Sequence, residues 1–178
     1  MRTHRVWVVG LMLAASGVAT ILNELLAALS TSDVFRSSSF GMAFGLAATI
    51  VGLPAWLLFW RTAQRSIDRY PGERGTPGRK LYVYLVLGIS AAVTAFSAQR
   101  LIGDALGASS VDVTTLAPIV VWGAVWAIHW RWEVAEGQPT EIARSMRRLY
   151  VYVTSSQGLV FLTMGLGVAT ATLLSTGY

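Results

Sequence analysis

The chain has 178 residues, 54% of them hydrophobic and only 13% charged, against roughly 25% charge in soluble domains. With a positive mean hydropathy, this excludes an ordinary water-soluble domain. Cysteine is absent, which excludes disulfides, thiolate metal sites, thiol nucleophiles and iron–sulfur clusters. The net charge of +5 resides in arginines that flank apolar blocks, a membrane-topology pattern rather than a nucleic-acid-binding face.

Five apolar blocks follow one another: Val6–Ala28, Phe40–Trp60, Leu81–Leu101, Leu116–Trp132 and Leu149–Leu174. Each approaches or exceeds the ~20 residues a helix needs to cross ~30 Å of hydrocarbon. The first block is too long for the apolar region of a cleavable signal, and its pattern recurs downstream, so it is read as a membrane helix. Polar or Gly/Pro-rich breaks separate the blocks: the serines from Ser30 to Ser39, the charged stretch Arg61–Lys80, the small residues Gly103–Thr115, and Glu133–Arg148 with Gly137 and Pro139. The expected fold is a single all-α domain, residues 1–178, of five transmembrane helices. Pro54 within the second block is expected to mark a kink.

If the five helices alternate in direction, every basic residue except Arg36 and Arg100 falls on one side. That asymmetry predicts a cytoplasmic amino terminus, an outward carboxyl terminus and a multi-pass protein of the inner (plasma) membrane.

Self-similarity adds a second layer. Arg79-Lys80-Leu81-Tyr82-Val83-Tyr84 matches Arg147-Arg148-Leu149-Tyr150-Val151-Tyr152, and Trp56-Leu57-Leu58-Phe59-Trp60-Arg61 corresponds to Trp126-Ala127-Ile128-His129-Trp130-Arg131. The pattern predicts an internal repeat over about 52–101 and 122–174, with an extra helix in front. Trp and Tyr favour the headgroup level, so one reading of both signatures is interfacial anchoring. The other is an aromatic wall, with Trp122, Trp126 and Trp130 on one helical face and Trp56 and Trp60 on another, holding a lipid or a hydrophobic cofactor. At these residues the chain resembles a family of uncharacterised bacterial membrane proteins catalogued as domain of unknown function 5671. That family is similar in its basic-Leu-Tyr-x-Tyr helix starts and in a Trp-x-x-His-Trp-x-x-x-Gln-Arg-like helix end, which Trp56, Trp60, Gln64 and Arg65 fit with Phe59 at the His position. The later copy has Trp126, His129 and Trp130 without the Gln-Arg. Through the repeat the resemblance extends over nearly the whole chain; it implies architecture and no activity.

Two further features carry chemistry. His129, the one histidine inside an apolar block, is a candidate ligand for haem or a pigment, or a proton-relay member. With Glu133 and Glu136 it shares a face at i, i+4 and i+7, where a solvated charge cluster is expected rather than a metal site. Glu24 and Arg100 stand 19 and 20 residues after the basic starts at Arg5 and Lys80, a spacing that permits a charge pair at one depth on two parallel helices. Small residues recur at intervals of four, including Gly41 and Gly45, Ala48 and Gly52, and Gly165 and Ala169, and predict close helix contacts within or between chains. No nucleophile elbow, paired-His zinc helix or phosphate loop is present.

The functional expectation is a non-enzymatic membrane subunit, forming a homo-oligomer or joining a larger membrane complex. Its partners would be membrane lipid and other membrane helices, with no nucleic acid and no required cofactor. The alternatives are a small channel or transporter using Glu24 and Arg100, and a redox subunit in which His129 and the tryptophans hold haem, quinone or pigment.

Overall fold

The computed structural model describes residues 3–30, 39–70, 72, 75–106, 112–137 and 140–176. They form α1 (Thr3–Ser30), α2 (Ser39–Arg69), α3 (Pro77–Ala105), a 3-10 turn (Val113–Thr115), α4 (Leu116–Glu136) and α5 (Glu141–Thr176). All five α-helices are long and apolar enough to cross a membrane. Helices suit that solvent because each backbone donor and acceptor finds its partner inside the same segment.

The helices outrun the apolar blocks. α2 continues through Pro54 as far as Arg69, and the proline removes the amide that would have bonded the Ile50 carbonyl. α3 begins at Pro77, in the first helical position, where a missing amide costs nothing. α4 extends to Glu136 and is closed by Gly137, whose φ of 66° and ψ of −163° lie in a region essentially reserved for glycine. At ~1.5 Å per residue the 36 residues of α5 extend ~54 Å, well beyond the hydrocarbon thickness.

The packing order is α2, α1, the α3–α4 pair, then α5. α1 holds α2 on one side and α4 with the 3-10 turn on another; α3 lies between α4 and α5. The α1–α2 seam is made by glycines. A Cβ on Gly52 would lie 2.5 Å from the Ala14 amide nitrogen, and one on Gly17 would lie 2.8 Å from the Gly45 carbonyl oxygen. The two backbones therefore touch directly, the arrangement that small residues permit between membrane helices. The α3–α4 seam is different: Val83, Val86 and Leu87 form its buried apolar part, and charged side chains complete it at one end.

α5 stands apart. Ala143 is buried, and Met146 and Tyr150 pack on the core, whereas no residue of its most apolar 18-residue stretch is buried within the chain. Its start is tied down by Thr140, whose hydroxyl donates to the Gly75 carbonyl at 3.2 Å and caps the Ala143 amide at 3.2 Å.

Candidate functional site

The first turn of α3 and the last turn of α4 lie side by side, and together they bury three charges, Arg79, Lys80 and Glu133, and half-bury a fourth, Glu136. Lys80 is fully buried, as is Glu133. The Lys80 ammonium donates to Glu133 Oε2 at 2.6 Å and to the Gly137 carbonyl at 2.9 Å, and it sits 3.6 Å from Glu136 Oε2. Three acceptors thus surround a group with three N–H bonds. Arg79 Nε reaches both oxygens of Glu136, at 3.0 and 3.1 Å, and its terminal nitrogen adds a further bond to Oε1. The second Glu133 oxygen accepts the Tyr84 hydroxyl at 2.5 Å. A carboxylate and an ammonium taken out of water each cost several kcal/mol, and mutual pairing with extra hydrogen bonds is what offsets that cost.

Sequence reasoning placed these residues in polar loops and expected Glu133 and Glu136 to be solvated with His129. The structure corrects this: Glu133 and Lys80 are inside the protein. The missed signal was register. Arg79-Lys80 opens α3 and Glu133/Glu136 close α4, so antiparallel packing of the two helices sets opposite charges at the same depth. Among the described residues no group of His, Asp and Glu is arranged to hold a metal ion.

His129 is one turn before Glu133 and is buried. Its Nδ1 lies 2.8 Å from the Val125 carbonyl. A carbonyl only accepts, so Nδ1 carries the proton, and in the neutral ring Nε2 accepts from the Tyr82 hydroxyl at 3.3 Å. Tyr82 in turn accepts from Trp56 Nε1 at 3.1 Å. The result is a directed chain from Trp56 through Tyr82 and His129 to the α4 backbone, with both imidazole nitrogens engaged.

The tryptophans stack around this cluster. Trp60 lies face to face with Trp132 at 3.8 Å between ring centroids, and the Arg79 guanidinium rides over Trp60 at 5.6 Å. Trp56 and Trp60 stack at 6.1 Å, Trp126 and Trp130 at 5.7 Å. Trp126 Nε1 donates to the Tyr150 hydroxyl at 3.0 Å, and Arg147 lies 5.7 Å over Trp130. The same three contacts therefore occur in both motif copies: a Trp amine on the first Tyr of the next helix, a Trp–Trp stack one helical turn long, and an arginine over the second Trp. Trp122 is buried on α4.

The other predicted site residues lie at the opposite end of the bundle. Glu24 is half-buried on α1. Arg100 is exposed near the end of α3 and lines a cavity of about 290 Å³ that it shares with Asn23, the neighbour of Glu24, and with Asp112. The Asp112 carboxyl is held below the usual carboxylate range, first by the Thr114 hydroxyl and then by the Thr114 amide, with the Arg100 charge adding to the effect.

With the geometry in hand, comparison with known proteins identifies the lineage. The model of the family described as a domain of unknown function, DUF5671, matches residues 4–114, more than half of the chain. The chain belongs to this family. The matched stretch of the DUF5671 chain holds Trp56, Trp60, Arg79, Lys80, Tyr82 and Tyr84; Glu133, His129 and the second motif copy lie beyond it. No curated protein and no solved structure matches the chain.

Proposed function

We propose that this DUF5671 protein is a non-enzymatic membrane subunit that associates with other membrane helices, a second copy or a larger complex, through α5. The observation that carries the reading is the bareness of α5: none of its apolar stretch is buried within the chain. Gly165 and Gly167 have open space where a Cβ would be. Gly17, Gly45 and Gly52 illustrate what such residues do in this protein when a helix lies against them. The charged cluster supports the same reading, because the hydrogen bonds that hold Lys80, Glu133 and His129 run to other groups of the protein. In this reading the tryptophans and His129 key the helices together. Indoles that spend their faces on one another, and an imidazole with both nitrogens engaged, favour that role over holding haem, quinone or pigment.

The two sets of Trp, Tyr and Arg contacts support descent of α2–α3 and α4–α5 from one repeated helix pair. The basic residues at the Lys80 end support a cytoplasmic amino terminus, an outward carboxyl terminus and residence in the inner membrane.

The native chain has no cysteine, so single cysteines report without background. With Leu162→Cys in native membranes, oxidation is expected to yield a covalent dimer or an adduct with a partner subunit, while Val9→Cys on α1 gives neither. A strict monomer in lipid nanodiscs, with no crosslink at Leu162 or along the same face, would overturn the proposal. For orientation, an impermeant thiol reagent applied outside is expected to label Leu106→Cys and to leave Arg65→Cys unmodified until the membrane is opened.

A further inference from the structure

The cavity at the far end of the bundle is independent of the α5 reading. It opens between the C-terminal halves of α1 and α3 and the 3-10 turn ahead of α4, about 290 Å³ in volume. Two of its walls are hydroxyl residues, Ser97 and Thr115, each only 7% exposed. Both residues line the cavity, and the Thr115 side chain makes no capping bond to the start of α4. Serine and threonine in helices usually return their hydroxyl to a carbonyl one turn back, as Ser90, Thr20 and Thr49 do here. A hydroxyl on a cavity wall can donate to a ligand instead.

Two charges face the same space. The Arg100 guanidinium and the Asn23 amide line it together with Asp112. Asp112 is fixed: its Oδ1 accepts from the Thr114 amide at 3.0 Å and the Thr114 hydroxyl at 2.6 Å, leaving the other oxygen available. A simple anion would be attracted by Arg100 and repelled by Asp112; a simple cation would meet the reverse. A molecule that carries both charges satisfies both. Phe96, an exposed ring on the cavity wall, adds an apolar surface for a chain or linker.

We propose that this cavity binds a zwitterion bearing a phosphate and an ammonium group, the headgroup chemistry of an ethanolamine phospholipid. The phosphate lies on Arg100, with Asn23, Ser97 and Thr115 donating to its oxygens, and the ammonium lies against the free oxygen of Asp112. Arginine matches phosphate through its planar fork of donors, and its place at the end of an apolar helix sets it at headgroup depth.

The test uses the full chain in nanodiscs made with equal phosphatidylethanolamine and phosphatidylglycerol, with native mass spectrometry counting retained lipid. The expected result is preferential retention of the ethanolamine lipid. Arg100→Gln should lower retention by about tenfold or more, the loss expected for one charge-assisted phosphate contact. Asp112→Asn should abolish the preference for ethanolamine over glycerol headgroups while phosphate-dependent retention persists. Both positions are exposed, and a melting temperature matching wild type in detergent shows that the variants are folded. O-phosphoethanolamine, added to the delipidated protein, separates the sources. A shift in melting temperature that depends on Arg100 assigns the site to a free solute, and its absence beside lipid retention assigns it to the headgroup; either supports the zwitterion. Equal retention of both lipids by wild type, unchanged in Arg100→Gln, together with no response to O-phosphoethanolamine, would overturn it.

Discussion

The α1–α2 seam and the α3–α4 seam each join two antiparallel apolar helices, yet they do so by opposite means. In the first, Gly10, Gly17, Gly45 and Gly52 remove side chains until backbone meets backbone. In the second, Lys80, Arg79, Glu133 and Glu136 insert charges and surround each with acceptors or donors. The glycine seam gains its stability from dispersion over a long contact, which is shallow in specificity because one turn of sliding still leaves small residues facing each other. The ionic seam gains less net free energy, since desolvation consumes most of the attraction, but it is satisfied at only one register. A bundle with both has one joint that sets closeness and another that sets depth.

The largest expected effect comes from breaking the ionic seam on one side only. Glu133→Leu leaves Lys80 and Tyr84 without their carboxylate, and a loss of about 3–5 kcal/mol is expected in reversible detergent unfolding. The double variant Lys80→Met with Glu133→Leu should recover most of that loss. If single and double variants were equally unstable, the pairing account of the seam would fail.

The glycine seam should answer to volume instead. Gly52→Ala puts a methyl 2.5 Å from the Ala14 nitrogen, so α1 and α2 must separate, at a cost of about 1–3 kcal/mol. On α5 the same change at Gly165 meets open space and is expected to be neutral or stabilising by up to ~1 kcal/mol, as for Gly to Ala in an exposed helix. Equal losses at Gly52 and Gly165 would mean that the contrast between a covered and a bare helix is wrong. Gly137→Ala touches the joint between seam and loop: its φ of 66° disfavours a side chain, and its carbonyl is a Lys80 acceptor. A cost of about 1–3 kcal/mol is expected.

Smaller and equal effects are expected at the two motif copies. Trp56→Phe and Trp126→Phe each remove one indole donor to a tyrosine, and about 0.5–1.5 kcal/mol should be lost at each. The smallest effect concerns pH. Because the folded Asp112 carboxyl titrates below its ordinary range, its contribution is present above that range and lost as the pH falls through its folded value. Asp112→Asn should therefore flatten a slight acid-side drop in melting temperature, giving up only the small contribution that this exposed carboxylate makes at neutral pH.

The five helices were legible because hydrocarbon imposes length and apolarity, and both can be counted along a sequence. The Trp and Tyr-rich helix ends were legible for the same reason. What the residues do with one another was less so. Gly45, Ala48 and Gly52 announced a close contact without naming α1 as the partner, and the identical spacing at Gly165 and Ala169 stands open. Arg79, Lys80, Glu133 and Glu136 look like solvated loop charges because polarity alone cannot say whether a charge meets water or an opposite charge. Only the packing of α3 on α4 decides it. Arg100 stands out in the sequence as a charge at the depth of Glu24, whereas its cavity neighbours Ser97, Thr115 and Asp112 are common residues that only the fold brings beside it.

The separation between Lys80 and Glu133, 53 residues along the chain, bears on the order of assembly. A ribosome delivers α3 before α4, so Lys80 and Arg79 must wait without their carboxylates, and a cation cannot settle into its final dry setting alone. During that interval their heads remain among water and phosphates. The closing turn of α4 is thus the event that draws the start of α3 inward, and a chain halted before Glu133 would carry α3 at a shallower depth than the finished protein.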